Sequence, residues 1–220
     1  MRRKITYTFV IYKTFFCFLL KMNEKSYLCC LLNRLIMATI SEIKDRLAAL
    51  RQEMKMHCLT AFIVPSTDPH SGEYVPEHWE TRQWITGFTG SAGTAVITLD
   101  DAGLWTDSRY FIQAEEQLEG TGIQLFKERL PETPSISEWL GNILKEGDRV
   151  GIDGWVNSHQ EVLGLRKDLT AKGLVLETMT EDIFDTLWEN RPNLPQSPVF
   201  ILDESRTGAS CTEKIARIQK

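Results

Sequence analysis

The sequence predicts an α/β protein: a three-layer α/β domain with a mixed β-sheet that contains one hairpin, followed by the start of a second domain. Three observations carry this. Short β-type apolar runs alternate with segments whose apolar residues recur every three or four positions, the pattern of strands and amphipathic helices in turn. Ser or Thr followed three residues later by Glu marks several helix starts as capping boxes. One pair of adjacent apolar runs is joined by a short polar turn, the signature of a hairpin.

The first domain is read over residues 37–177. Ile40, Ile43, Leu47, Leu50 and Met54 form one helical face, with Thr39 and Glu42 as a capping box at its start. Residues 61–64 (AFIV) make a strand stopped by Pro65. A polar loop fills residues 66–78, and a short helix over 79–85 leads into the glycine-rich GFTGSAG of 87–93. Residues 94–99 and 104–106 form the hairpin, with Asp100-Asp101-Ala102-Gly103 as its turn and Gly103 supplying a positive φ. Asp107 or Ser108 caps a helix carrying Phe111, Ala114 and Leu118.

Beyond it, a strand runs over 123–126. A helix opens at the Ser135/Glu138 box, with Ile136, Trp139, Leu140, Ile143 and Leu144 on one face. Residues 149–152 are a strand, Ser158/Glu161 opens the next helix, and 174–176 form the last strand. Trp79, Trp84, Trp105 and Trp139 are read as core side chains rather than a ligand cage.

Outside this domain the composition changes. Residues 178–200 read as a linker: DIFDTLW forms a short helix, and Pro192, Pro195 and Pro198 make an extended passage. Residues 201–220 read as the truncated start of a second α/β domain, where the Ser210/Glu213 box opens a helix of about two turns, too short to be stable alone. Residues 1–36 are basic and aromatic, with Glu24 the only acid. A signal peptide or membrane anchor over residues 5–20 is weakened by Lys13 and by the shortness of the run. The reading adopted is a mis-assigned or disordered extension with the natural start at Met37; a targeting segment and a docking tail stay open.

Composition excludes several functions. The chain of 220 residues is 42% hydrophobic with a net charge of −5, and no basic stripe interleaved with aromatics points to nucleic acid. No membrane association is expected. Cys17, Cys29, Cys30, Cys58 and Cys211 form no C-x-x-C pair, which fits a reducing, cytoplasmic compartment. The glycine run is neither a P-loop nor a dinucleotide fingerprint. Thr89 spoils a nucleophile elbow at Ser91, so close packing is the reading of these glycines. His57, His70, His78 and His159 show no compact ligand spacing; Asp68 with His70 is the nearest approach to a metal pair, and capping or loop hydrogen bonding is the ordinary job of such residues. Residues 66–78 and 107–110 lie at strand-to-helix transitions, where open α/β sheets place ligand contacts. Glu73 suits a cationic amine there, and the fork of Arg109 suits a carbonyl or carboxylate, with local salt bridges as the ordinary alternative for both.

The segments IVPSTDPH, SGEYVPEHW, ITGFTGSAGTAVIT and LWTDSRYFIQA, together with DIFDTLWENRPNLPQSPVF, resemble the first domain of the long-form Xaa-Pro aminopeptidases of the creatinase/prolidase group. The resemblance covers nearly all of residues 37–220. It implies a creatinase N-terminal domain-like fold, and a larger enzyme of two similar α/β domains and a catalytic domain. That last domain would hold two divalent metals, commonly manganese, whose bridging hydroxide attacks the bond before a penultimate proline. Nothing in this chain matches that ligand set, so no cofactor is expected on it, no catalytic residue is assigned, and inactivity alone is expected. The resemblance also implies a peptide substrate with penultimate proline, homodimerisation, and active-site-facing roles for Glu73 and Arg109, in motifs varied only at Gly72 and Ser108. His70 and Tyr74 are the further substrate-binding candidates. The alternative is a standalone peptide-binding or regulatory domain that docks on a full-length relative.

Overall fold

A computed structural model describes residues 25–220, with side chains from residue 39 onward. The expectations for residues 1–24, including the anchor over 5–20, lie outside the described residues. Helix α1 (Lys25–Met56) is followed by β1 (Ala61–Pro65), α2 (Thr81–Thr86), β2 (Thr94–Thr98), β3 (Ala102–Thr106), α3 (Phe111–Leu118) and β4 (Gln124–Lys127). Then come α4 (Ile136–Ile143), β5 (Arg149–Asp153), α5 (His159–Thr170), β6 (Val175–Met179), α6 (Phe184–Leu187), α7 (Glu204–Thr207) and α8 (Cys211–Ile218).

The six strands form one sheet in the order β4-β3-β2-β1-β5-β6. Only β2 is antiparallel to its neighbours; β1 pairs parallel with β5, β5 with β6 and β3 with β4. The carboxyl ends of β1, β3, β4, β5 and β6 therefore share one edge of the sheet, beside the amino end of β2. Side chains alternate across the sheet. Phe62 and Val64 join Ala95, Ile97 and Leu104 under α1, whose Ile43, Leu47, Leu50 and Met54 are all buried. Ala61 and Ile63 join Val96, Trp105, Phe126, Val150 and Ile152 on the opposite face, under Leu140 of α4 and Val162 and Leu169 of α5. This is the expected three-layer architecture with a mixed sheet. Both expected boxes on α4 and α5 form, with Ser135 and Ser158 each accepting from the amide three residues on and receiving the Glu carboxylate in return.

Three local expectations are corrected. The Thr39/Glu42 pattern does not start a helix: α1 runs unbroken from Lys25 to Met56, a span without Gly or Pro to end it. The hairpin turn is tighter than expected and Gly103 lies outside it, paired with Val96 in β3. Thr98 and Asp101 close the turn, Asp101 N–H donating to Thr98 Oγ1 at 2.8 Å, while Arg51 of α1 donates to the carbonyls of Thr98, Asp100 and Asp101. What requires glycine at 103 is space, since a Cβ there would lie 2.7 Å from both the Phe126 and Trp105 rings, which stack with centroids 4.0 Å apart. Finally, Tyr110 and not Asp107 or Ser108 occupies the start of α3. The Asp107 carboxylate is used two residues on, accepting from the Arg109 amide at 3.0 Å.

Residues 183–192, placed in the linker by sequence, pack onto the domain. Ile183 and Phe184 are buried, Phe184 meets Phe62 and Trp84 edge-on, and Trp188 stacks on Trp84 at 5.4 Å. Residues 193–206 are exposed.

Candidate functional site at the carboxyl edge of the sheet

The loop after β1 and the turn after β3 leave the same edge, about 10 Å apart by strand spacing, with the glycine-rich segment before β2 between them. Side-chain hydrogen bonds tie the three together. Ser66 Oγ donates to Gly93 O at 2.7 Å, Thr106 Oγ1 donates to Ala92 O at 2.7 Å, and the Ser91 and Tyr110 hydroxyls are 2.6 Å apart. The organising residue is one that sequence reasoning missed. Arg82, only 5% exposed, donates from Nε to Ser66 Oγ at 2.7 Å and from its two Nη atoms to the carbonyls of Phe88 and Gly90. A glycine-rich turn leaves carbonyls without helix or ladder partners, and a forked cation satisfies several at once. Burial pulls the Arg82 guanidinium down to about 10, with Glu80 opposing, so it remains charged at neutral pH. The glycines serve packing, as expected: a Cβ on Gly90 would collide with the Phe88 and Tyr110 rings.

Asp68 shapes the loop after β1. It is buried, and its Oδ1 accepts from the amides of His70 at 2.7 Å and Gly72 at 3.2 Å. That turn pushes the following side chains outward: His70 is 90% exposed at its side chain, Glu73 is exposed and Tyr74 is 83% exposed. His70 Nδ1 stands 3.9 Å from Asp68 Oδ1. On the other segment, Arg109 is held by Asp107, with Nε to Oδ1 at 2.9 Å and Nη2 to Oδ2 at 2.7 Å. The Arg109 hydrogen bonds hold the Asp107 carboxyl down at about 2 against a burial contribution that raises it, so the pair is ionised at neutral pH. The guanidinium also lies over the Tyr110 ring, 5.2 Å from its centroid. The structure thus sets His70, Glu73, Tyr74 and Arg109 on one edge, but no hydrogen bond or ion pair among the described residues joins Glu73 to Arg109.

The donor set does not fit a metal pair. Among the described residues no group of three or more His, Cys, Asp and Glu is arranged to hold a metal ion, and the Asp68 carboxylate is turned to backbone amides. A second charged cluster lies further along the same edge, after β5 and β6. Asp153 is 7% exposed, accepts from the Trp155 amide at 2.8 Å, and is pushed up to about 6 by burial, with Asp182 and Asp185 adding and Arg191 opposing. Its neighbour Arg191 pairs with both Asp182 and Asp185 at 2.6 Å.

Comparison with known proteins agrees with this architecture. A family model described as the Creatinase/Prolidase N-terminal domain matches residues 46–183. A "Probable Xaa-Pro aminopeptidase P" of Coprinopsis cinerea is 42% identical over 180 residues, which is 81% of this chain and 29% of that protein. The "Xaa-Pro aminopeptidase 2" of Homo sapiens is 41% identical over 182 residues, 82% of this chain and 27% of the relative. The chain therefore spans less than a third of the length of these curated relatives. Among solved structures, the X-prolyl aminopeptidase of Caenorhabditis elegans, described as a cytosolic enzyme with a di-nuclear active site, superposes with a TM-score of 0.71 at 30% identity, covering 81% of this chain and 30% of that one.

Proposed function

The chain belongs to the Creatinase/Prolidase N-terminal domain family, and from that premise we propose that it is the non-catalytic front domain of an Xaa-Pro aminopeptidase-like metallopeptidase. Its work is to wall the substrate cleft and offer an oligomer surface, while hydrolysis before a penultimate proline belongs to a separate metal-binding domain. Glu73 and Arg109 are the contacts: the carboxylate receives a peptide amine, and the guanidinium receives a carbonyl or carboxylate. His70 and Tyr74 flank them. The two metals, manganese in this reading, sit outside the described residues, and we derive no step through them. The division into an extension (1–36), a first domain (37–177), a linker (178–200) whose residues 183–192 pack back onto that domain, and a second-domain start (201–220) is part of the same proposal, as are a cytoplasmic setting and a homodimer.

The observation that carries the proposal is the convergence of the 66–78 loop and the 107–110 turn on one sheet edge, fixed around Arg82. The test is a graft of residues 37–192 in place of the matching segment of a full-length relative that hydrolyses Xaa-Pro peptides. Glu73→Gln and Arg109→Met in the graft should each lower kcat/KM about tenfold or more. Unchanged kcat/KM in both would remove the cleft-wall role.

A second reading, a standalone domain that docks on a full-length relative, draws on the exposed apolar side chains of Val199, Phe200, Ile201, Ile215 and Ile218. Co-sedimentation with a full-length relative supports it, and its absence at micromolar concentrations counts against it.

A further inference from the structure

Outside the candidate site, side chains hold the backbone closely where the chain leaves the domain. Arg191 is 6% exposed at its side chain. Nη1 pairs with Asp182 Oδ2 and Asp185 Oδ1, both at 2.6 Å, and Nε donates to His78 O at 2.9 Å. The guanidinium lies 5.4 Å from the Trp79 ring centroid and 5.9 Å from that of Trp188. The next residue is held from the other side. His78 Nδ1 is 2.7 Å from Pro192 O, and because a carbonyl only accepts, Nδ1 carries the proton. Asp182 is fixed in turn, its Oδ1 accepting from the Phe184 amide at 2.9 Å. Two segments more than a hundred residues apart, 78–79 and 182–192, thus close on one another through two hydrogen bonds and a cation held over a ring.

The arrangement is costly. A guanidinium is taken out of water, and its Nη2 is buried with no hydrogen-bond partner. A domain that needed only to fill this corner would do as well with an apolar side chain. What the fork adds is direction: it fixes the orientation of the backbone at residue 191 against the 78–79 and 182–188 segments at once. Pro192 further confines residue 191 to extended geometry. Immediately beyond, residues 193–203 are exposed and carry no regular structure, with Pro195 and Pro198 as stiffeners.

We infer that Arg191 and His78 form an exit latch, which fixes the point and direction at which the chain leaves the domain and confines bending to residues 193–203. The chain thus enters residues 193–203 from a fixed point beside the carboxyl edge of the sheet. The latch holds whether or not Glu73 and Arg109 contact substrate.

The test is a distance distribution by pulsed electron spin resonance on the full chain. Nitroxides are placed on Cys58 and on the thiol introduced by Asn193→Cys, with Cys17, Cys29, Cys30 and Cys211 changed to serine; Cys58 and residue 193 are both exposed. The latch predicts one narrow peak, and at least a twofold broadening on Arg191→Met with a cooperative thermal transition retained. An unchanged width in that variant overturns the inference. Should Arg191→Met not fold, His78→Phe keeps the ring beside Trp79 but loses the bond to Pro192, and it must broaden the same peak; an unchanged width there is equally decisive. Arg191→Lys keeps the charge without the fork. It should stay broad, and recovery of the narrow peak would reduce Arg191 to an ordinary ion pair.

Discussion

Asp153→Asn is expected to stabilise the protein at neutral pH, although it deletes a charge from a site that contains an arginine. In the folded state burial raises the Asp153 carboxyl from 3.8 to about 6. Between these values the folded protein keeps a proton that the unfolded chain has released, so stability falls as pH rises through this window, and above about 6 the full cost is imposed. A shift of about two units corresponds to about 3 kcal/mol at most, and water reaching the carboxylate brings the expected effect to about 1–3 kcal/mol. Asparagine retains the oxygen that accepts from the Trp155 amide at 2.8 Å and leaves Asp182, Asp185 and Arg191 in place. Urea melts of both proteins at pH 4, 5, 6, 7 and 8, compared at equal slope, read the difference directly. The two should converge near pH 4, with the variant ahead by ~1–3 kcal/mol at pH 7. A variant less stable than the parent at pH 7, or a gap that does not change between pH 4 and 7, would refute the burial argument.

Arg82→Met should cost about 3–5 kcal/mol in a denaturant melt, because it strands the Phe88 and Gly90 carbonyls and Ser66 Oγ in a buried turn. Gly103→Ala should cost about 1–3 kcal/mol in the same assay by forcing the Trp105–Phe126 stack apart. In a carbon-detected NMR titration the Asp107 carboxyl should inflect near 2, and move up toward the ordinary aspartate value in Arg109→Met, with the thermal midpoint little changed. Since the folded value is depressed, any stability from this pair is present above the unfolded value of 3.8 and is lost as pH falls through 2.

Much of the fold is legible in the sequence because its signals are local. The Ser135/Glu138 and Ser158/Glu161 boxes depend only on residues three apart, and the alternation of Ala61, Phe62, Ile63 and Val64 already assigns each side chain to a face. The failures are of two kinds. Thr39 and Glu42 show that a capping pattern does not exclude an upstream helix that no breaker interrupts. Gly103, Arg82 and Phe184 show that some residues are chosen by distant partners. Gly103 answers to a ring stack completed by Phe126, Arg82 to carbonyls six and eight residues on, and Phe184 to Phe62 across the domain. An arginine just before a glycine-rich turn was the available clue to Arg82. For the candidate site, sequence located both segments on strand ends. It also allowed Arg109 a local salt bridge and Asp68 a loop hydrogen bond, but not the partners: Asp107 grips Arg109, and Asp68 turns His70, Glu73 and Tyr74 outward.

In the proposed function this chain shapes a cleft and leaves hydrolysis to metals held elsewhere. The most direct measurement is the release of the N-terminal residue from an Xaa-Pro peptide by the purified chain, with manganese supplied. No release above a protein-free control is expected at any manganese concentration. Turnover that scales with the chain and disappears on chelation would contradict it, since it would require a metal site within these 220 residues.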